Sequence, residues 1–239
     1  MGETQALRAA VRQTAEALLA VVLGPQCAAC ARPLDAPLGG PVCAPCWVRV
    51  QGRSIPFRHR SGFVDSGCAA GDYEGTLREI IHAFKYDGRR TLARPLGAML
   101  RAAGAEALRN ADCAVPVPLH AWRRVRRGFN QAADLAGGLE LPVVHALWRS
   151  RATSPQTGLT AGGRRRNVRR AFTLSLWLPR ARRDALLEDR IVVLVDDVRT
   201  TGATLDECAR VLKAAGAREV RALTVATAAP PGGSTRLSS

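Results

Sequence analysis

Apolar residues along this chain fall into short blocks with two different periods. From Gly62 onward, strand-length apolar runs alternate with runs in which apolar residues recur at i, i+3 and i+4. Phe63–Tyr73 reads as a strand. Leu77, Ile80, Ile81 and Phe84 mark one face of a helix that ends near Tyr86-Asp87-Gly88. A second helix covers Thr91–Leu108, with Leu92, Leu96, Met99 and Leu100 inward. Ala111–Val117 reads as a strand, Asn130–Gly137 as a helix, and Leu141–Trp148 contains a short strand. Ile191–Val195 is a continuous buried-strand run. The helix after it, Gly202–Ala215, places Leu205, Cys208, Ala209 and Leu212 on one face and has Gly216 at its end. Val220–Thr227 supplies a last strand. This alternation predicts an α/β domain over 62–229, its sheet mostly parallel and flanked by helices. Ahead of it, residues 1–24 look helical, 25–50 are rich in turns and cysteines, and Gln51–Ser61 is a polar, basic connector. The expected organisation is an N-terminal module over 1–61, the α/β domain, and a Pro/Gly/Ser-rich frayed tail over 230–239. No internal repeat is evident.

The most informative stretch is 191–204, Ile-Val-Val-Leu-Val-Asp-Asp-Val-Arg-Thr-Thr-Gly-Ala-Thr. An apolar strand ends in adjacent carboxylates, Asp196 and Asp197, and a Thr/Gly turn leads into a helix. Backbone N–H groups of such a turn, reinforced by the helix dipole, make an anion site. Thr200, Thr201 and Thr204 add hydroxyl donors, Ala203 keeps the turn small, and Gly202 permits a positive φ and close approach of the backbone. The carboxylates suit what is attached to a phosphate rather than the phosphate: sugar hydroxyls or a bound Mg2+.

Cys27-x-x-Cys30 and Cys43-x-x-Cys46 stand twelve residues apart, with Pro33, Gly39, Gly40, Pro41 and Pro45 to form the turns. Four thiolates at this spacing close tetrahedrally on one Zn2+ and leave no open coordination position, so the expected role is structural. Disulfides are the competing reading, disfavoured for a cytoplasmic chain. Cys68, Cys113 and Cys208 lie in apolar surroundings and are expected in the core.

The net charge of +15 is almost entirely arginine, Lys85 and Lys213 being the only lysines. Genome base composition is one source of such a bias, but the clustering asks for more. Arg123, Arg124, Arg126 and Arg127 form one block; Arg164, Arg165, Arg166, Arg169 and Arg170 form another. Guanidinium groups bind polyphosphate or nucleic-acid backbone bidentately. The first block follows the strand end Pro116-Val117-Pro118-Leu119-His120, where a pyrophosphate would be neutralised; a solvated basic helix face is the alternative. His120 titrates near neutrality if unperturbed and is given a minor role at most. The second block lies in Arg151–Phe172, whose length and Gly/Thr/Arg content suggest a lid. No segment reaches the ~20 apolar residues of a membrane span. The run Ala15–Leu23 contains Glu16 and lacks a small-x-small cleavage site, so it reads as an amphipathic helix and the protein as cytoplasmic.

The 191–204 pattern resembles the phosphoribosyl pyrophosphate (PRPP) motif of type I phosphoribosyltransferases. That resemblance gives Asp196 and Asp197 the ribose hydroxyls, and Thr200, Thr201, Gly202, Ala203 and Thr204 the 5′-phosphate. It gives Arg123, Arg124 and Arg127 the pyrophosphate, with Mg2+ alongside, and Arg166 a catalytic place in the lid. The resemblance narrows through Val115-Pro-Val-Pro-Leu119, Arg127-Gly-Phe-Asn-Gln131, Pro155-Gln-Thr-Gly-Leu159, Arg166-Asn167 and Ala171-Phe172. The helix end Ile81-His-Ala-Phe-Lys-Tyr-Asp-Gly88 belongs to the same pattern. With the four-cysteine module, these look like the ComF family (ComFC/GntX-type), from about Leu23 to Thr227. Purine-type relatives carry an acidic base three positions after the second carboxylate; Thr200 stands there, as in orotate-type and amido-type members. The stretch from Ala222, Ala-Leu-Thr-Val-Ala-Thr-Ala-Ala, lacks the aromatics with which many relatives stack a nucleobase. The resemblance implies PRPP or a related sugar phosphate as ligand, an unknown acceptor, and a role in DNA uptake beside a helicase-like partner. The alternative is a non-catalytic module for single-stranded DNA, to which Trp122 and Phe129 beside the first arginine block lend an aromatic contribution. Oligomeric state is left open.

Overall fold

The computed structural model describes residues 2–50, 52–57, 62–119, 128–150, 171–177 and 179–228. The chain divides into two units, Met1–Gln51 with Glu74–Leu92, and Gly52–Tyr73 with Ala93–Ser239.

The first unit begins with α1 (Gly2–Leu23), continues through the cysteine turns to α2 (Ala44–Arg49), and includes α3 (Gly75–Tyr86). Leu77, Ile80, Ile81 and Phe84 on α3 are all buried, as their spacing predicts. The Arg89 guanidinium donates to the Gln26 carbonyl at 3.0 Å, tying the segment after α3 to the entrance of the cysteine turns.

The second unit is built on a five-stranded sheet of order β1-β2-β7-β6-β3. Its strands are β1 (Ile55–Phe57), β2 (Ser66–Ala69), β3 (Cys113–Pro116), β6 (Ile191–Arg199) and β7 (Glu219–Thr227). All pairings are parallel except the antiparallel edge β1–β2. β6 lies between β7 and β3, aliphatic and fully buried from Val192 to Val195, as a strand covered on both faces must be. Around the sheet lie α4 (Ala93–Ala103), α5 (Ala105–Leu108), α6 (Gln131–Ala136), α7 (Arg180–Leu187) and α8 (Ala203–Ala214). Leu205, Cys208, Ala209 and Leu212 of α8 join Val192 and Leu194 in one core cluster. A separate antiparallel ribbon pairs β4 (Leu147–Arg149) with β5 (Phe172–Leu174). Cys68, Cys113 and Cys208 are all buried; burial pushes the Cys113 thiol up to about 11 and Cys208 well above its usual value.

Four differences from the sequence reading have local causes. The helix over Thr91–Leu108 is a short 3-10 turn at Arg90–Leu92 followed by α4 and α5, broken at Gly104. A Cβ on Gly104 would come within 2.6 Å of the Leu223 side chain, so the backbone there presses directly against β7. The connector Gln51–Ser61 contains β1, where Pro56 is tolerated because the strand is an edge. The Phe57 ring occupies the space above Gly67, whose Cβ would lie 2.2 Å from it. The polar sequence 180–187 forms α7, anchored by fully buried Leu187. Finally, β6 does not stop at the carboxylates but runs on to Arg199.

Candidate functional site

The acidic pair lies within the regular strand. β6 keeps its register with β7 through Asp196↔Thr224, Val198↔Ala226 and Arg199↔Thr227, while burial falls from complete at Val195 to partial at Asp196 and Asp197. The carboxylates therefore stand where the strand emerges from the covered core. Neighbouring strand residues face opposite sides of a sheet. Asp196 turns its carboxylate toward the next residue, its Oδ1 accepting the Asp197 amide N–H at 2.9 Å.

Arg199 fixes the end of the strand. Its guanidinium carbon sits 4.4 Å from the centre of the Phe57 ring, and Nη1 donates to Thr227 Oγ1 at 3.3 Å. The half-buried guanidinium is held below the usual arginine value by its burial. One side chain thus straps β6 to β7 and β1, and the turn leaves from a rigid base.

Thr200, Thr201 and Gly202 form that turn. Gly202 has φ +76° and serves as N-cap of α8, in the left-handed region that glycine enters without strain. Thr201 Oγ1 accepts the Ala203 N–H at 3.4 Å, and the Gly202 carbonyl accepts the Asp206 N–H at 2.9 Å, which starts the helix. Thr200, Thr201, Ala203 and Thr204 are half-buried around Gly202. The first turn of a twelve-residue helix is therefore presented beside two carboxylates. This arrangement can take a phosphate at the helix N-terminus and diol hydroxyls at the acids.

Two further chain segments are closed at their ends. The Asn130 side-chain NH2 donates to the Val117 carbonyl, and its oxygen accepts the Ala132 N–H, both at 3.2 Å. Asn130 thereby caps α6 and clamps the end of β3 to the start of that helix, across the arginine segment. On the other ribbon, Ser150 N donates to the Ala171 carbonyl at 3.0 Å, bringing together the ends of 151–170. The buried Arg149 guanidinium lies 5.3 Å from the Phe172 ring at that point. His120, Trp122, Arg123, Arg124, Arg126 and Arg127 lie outside the described residues. So do Pro155–Leu159, Arg164, Arg165, Arg166, Arg169 and Arg170, and the tail from residue 229. The Asn130 clamp and the Arg199 strap were not singled out from the sequence. An Asn directly before a helical run is a recognisable cap signal; nothing local marks Arg199.

Beside β3 a cavity of about 450 Å3 is lined by Pro116, Pro118, Leu119, His145, Trp148 and Trp177 among others. Trp177 is 87% exposed, so the ring stands at its rim.

The four cysteines converge. All four Sγ atoms lie within 4.8 Å of one another, and Cys30 Sγ and Cys43 Sγ are 3.8 Å apart. A tetrahedral ion with metal–sulfur bonds of ~2.3 Å needs sulfur–sulfur edges of ~3.8 Å, so the cluster fits zinc. The backbone N–H groups of Ala29 and Cys43 each donate to Cys27 Sγ at 3.4 Å, which favours its thiolate over the opposing effect of burial. Hydrogen bonding to the Arg32 guanidinium brings the Cys30 thiol down to about 6, while burial pushes Cys46 up to about 12. Cys27, Cys30, Cys43 and Cys46 would hold the ion, which would crosslink the two turns.

Parallel sheet, acidic strand end and glycine turn define a phosphoribosyltransferase-type domain, and residues 125–234 match the phosphoribosyl transferase domain family. The chain is 35% identical over 168 residues to Competence protein F of Haemophilus influenzae, covering 66% of this chain and 71% of that protein. It is 36% identical over 161 residues to the DNA utilization protein YhgH of Escherichia coli K12, 63% of this chain and 66% of that protein. To Competence protein ComFC of Streptococcus pneumoniae it is 26% identical over 157 residues, 64% of each. The chain belongs to the ComF family of phosphoribosyltransferase-domain proteins. The matches span about two thirds of the length of these relatives. Among the described residues no helix is long and apolar enough to cross a membrane.

Proposed function

We propose that this chain binds PRPP, or a related sugar phosphate, with Mg2+ at the β6–α8 turn and transfers the phosphoribosyl group to an acceptor. The names of its relatives point to competence or DNA utilization as the setting. The observation that carries the reading is the acidic pair leading through Arg199 into a left-handed Gly202 at a helix N-terminus. Asp196 and Asp197 hold the ribose hydroxyls; Thr200–Thr204 hold the 5′-phosphate through backbone N–H and hydroxyl donors. In the transfer, the C1′–O bond to pyrophosphate breaks and the leaving group keeps the electron pair. An acceptor nucleophile then bonds to C1′ and loses its proton. Arg123, Arg124, Arg127 and Arg166 stabilise the departing pyrophosphate by charge. Bound Mg2+ would supply further charge neutralisation at the pyrophosphate. Thr200 in place of an acidic base disfavours purine-salvage chemistry. The cysteine module is a zinc-stabilised scaffold without a catalytic part, and seven unbridged cysteines suit a reducing cytoplasm. Pyrophosphate release from PRPP, screened across candidate nucleophiles, tests the reading. Release should depend on one acceptor class and vanish in Arg166→Ala, and absence of release with every acceptor would count against catalysis.

A second reading, a module for single-stranded DNA, is favoured by Trp148 and Trp177 at the cavity whose lining residue Leu119 leads in sequence to the arginine block. Aromatic rings beside arginines are how sequence-tolerant strand binders hold bases and backbone. A salt titration of oligonucleotide binding, with Arg123, Arg124, Arg126 and Arg127 changed to alanine, tests it. The wild type should show a steep salt slope and the variant a shallow one. Equal slopes contradict it.

A further inference from the structure

One polar side chain sits inside an apolar strand next to the acidic pair. Thr224 of β7 is fully buried, and its hydroxyl has no hydrogen-bond partner among the described residues. Its backbone is satisfied, the carbonyl accepting the Ala70 N–H at 2.9 Å. The strand around it reads Ala222-Leu-Thr-Val-Ala226, so the hydroxyl interrupts an apolar run. A buried hydroxyl without a partner destabilises a fold, and a valine of the same shape would not.

Strand register identifies the group this hydroxyl serves. Residues paired across a parallel sheet face the same side, and neighbours along one strand alternate. Thr224 is paired with Asp196 of β6 on one side and with Ala69 of β2 on the other. Its same-face neighbours along β7 are Ala222 and Ala226. Three of these four surrounding positions carry only a methyl group, and the fourth is a carboxylate. Val192, Leu194 and Ala222, on the same face, share one core cluster with Cys208 of α8. The Cys208 thiol is raised by burial first and by the Asp196 charge next, which sets that carboxylate on the α8 side as well. Asp197 faces the other way by alternation. Paired strands lie ~4.8 Å apart, a gap that a threonine hydroxyl and an aspartate carboxylate bridge between them.

We propose that Thr224 is a positioning residue for the acidic pair, its hydroxyl donating to the Asp196 carboxylate as that carboxylate takes up the ribose hydroxyls. The inference rests on the PRPP reading above. An ionised carboxylate accepts at about four sites, enough for the Asp197 amide, the Thr224 hydroxyl and a sugar diol together. Two anchors from the protein then fix the rotation of the carboxylate toward the sugar. The hydroxyl is thus unfavourable to the fold alone and favourable to the complex.

Two variants separate these effects, each measured on the full zinc-loaded chain. Calorimetric melting without PRPP reads the fold, and isothermal titration of PRPP with Mg2+ reads the complex. Thr224→Val keeps the shape and loses the hydroxyl. It should melt at or above the wild-type temperature and bind PRPP on the order of tenfold more weakly. Thr224→Ser keeps the hydroxyl and loses a buried methyl, so it should melt lower yet hold PRPP within about twofold of wild type. Stability and affinity move in opposite directions across the pair, which a merely structural threonine does not produce. Equal PRPP affinity in Thr224→Val and wild type, or a Thr224→Val melting temperature below wild type, would overturn the proposal and leave the donor site standing. A wild type that binds no PRPP would overturn both.

Discussion

Asn130 carries two hydrogen bonds that a single substitution removes and a second separates. In Asn130→Ala, α6 loses its cap to the Ala132 N–H, and the buried Val117 carbonyl loses the donor at 3.2 Å. Losing an N-cap costs about 1 kcal/mol, and losing a neutral hydrogen bond at a buried carbonyl about 1 kcal/mol more. A total near 2 kcal/mol lowers the melting temperature of a unit this size by roughly 4–8 °C. Asn130→Asp keeps the capping oxygen and adds a favourable charge at the helix N-terminus, but it has no N–H for Val117. It should lose about half as much. Differential scanning calorimetry on zinc-loaded protein measures both variants. The same clamp holds the ends of the arginine segment, so PRPP affinity in Asn130→Ala should fall along with stability, and pyrophosphate inhibition should weaken. A melting temperature within about 1 °C of wild type for Asn130→Ala would refute the energetic reasoning. Unchanged PRPP affinity in a destabilised variant would separate the clamp from the ligand.

Three further outcomes follow from other parts of the molecule. Gly202→Ala forces an L-residue to φ +76°, costing about 1 kcal/mol, and should weaken PRPP binding; Gly202→Asn, which tolerates this region, should restore most of the stability in urea denaturation. Asp112 is held below the usual carboxylate value, chiefly by the Ile191 N–H at 2.8 Å and then by Arg190 at 3.0 Å. A depressed folded-state value means its stabilisation is present above the unfolded aspartate pKa and is lost as pH falls through the folded one. Asp112→Ala should therefore cost about 1 kcal/mol at neutral pH and less as pH falls through the folded carboxyl's depressed value, read from urea midpoints across pH. Zinc should be found at one ion per chain by elemental analysis and lost in Cys46→Ser, and chelation should lower the melting temperature. Loading should also fall with acidification, because the ligands are thiolates.

The long elements were legible because their apolar periods are strong. The aliphatic run of β6, the α8 face from Leu205 to Leu212 and the α3 face from Leu77 to Phe84 all emerged where their spacing puts them. The core of the candidate site was legible for the same reason: a strand run, two acids and a glycine turn are contiguous in sequence. What the sequence hid is non-local or short. β1 is three residues long and exists because β2 offers Phe57 a glycine to cover. β4 and β5 pair across a long intervening segment, so neither short run announces its partner. The extension of β6 through Asp196–Arg199 depends on β7 pairing with Asp196, Val198 and Arg199, which hydropathy cannot see because three of these four positions are charged. The break at Gly104 is imposed by Leu223, more than a hundred positions away. Arg199 takes its place from Phe57 and Thr227, neither of which neighbours it in the chain.

The central claim is that β6 and the turn after it hold a phosphoribosyl donor. Isothermal titration of PRPP with Mg2+ into the zinc-loaded chain, and into Asp196→Asn/Asp197→Asn, tests it most directly. The account predicts saturable binding to the wild type, abolished in the double variant, with a retained melting temperature. Absence of binding in the wild type, or equal affinity in the two proteins, would contradict it.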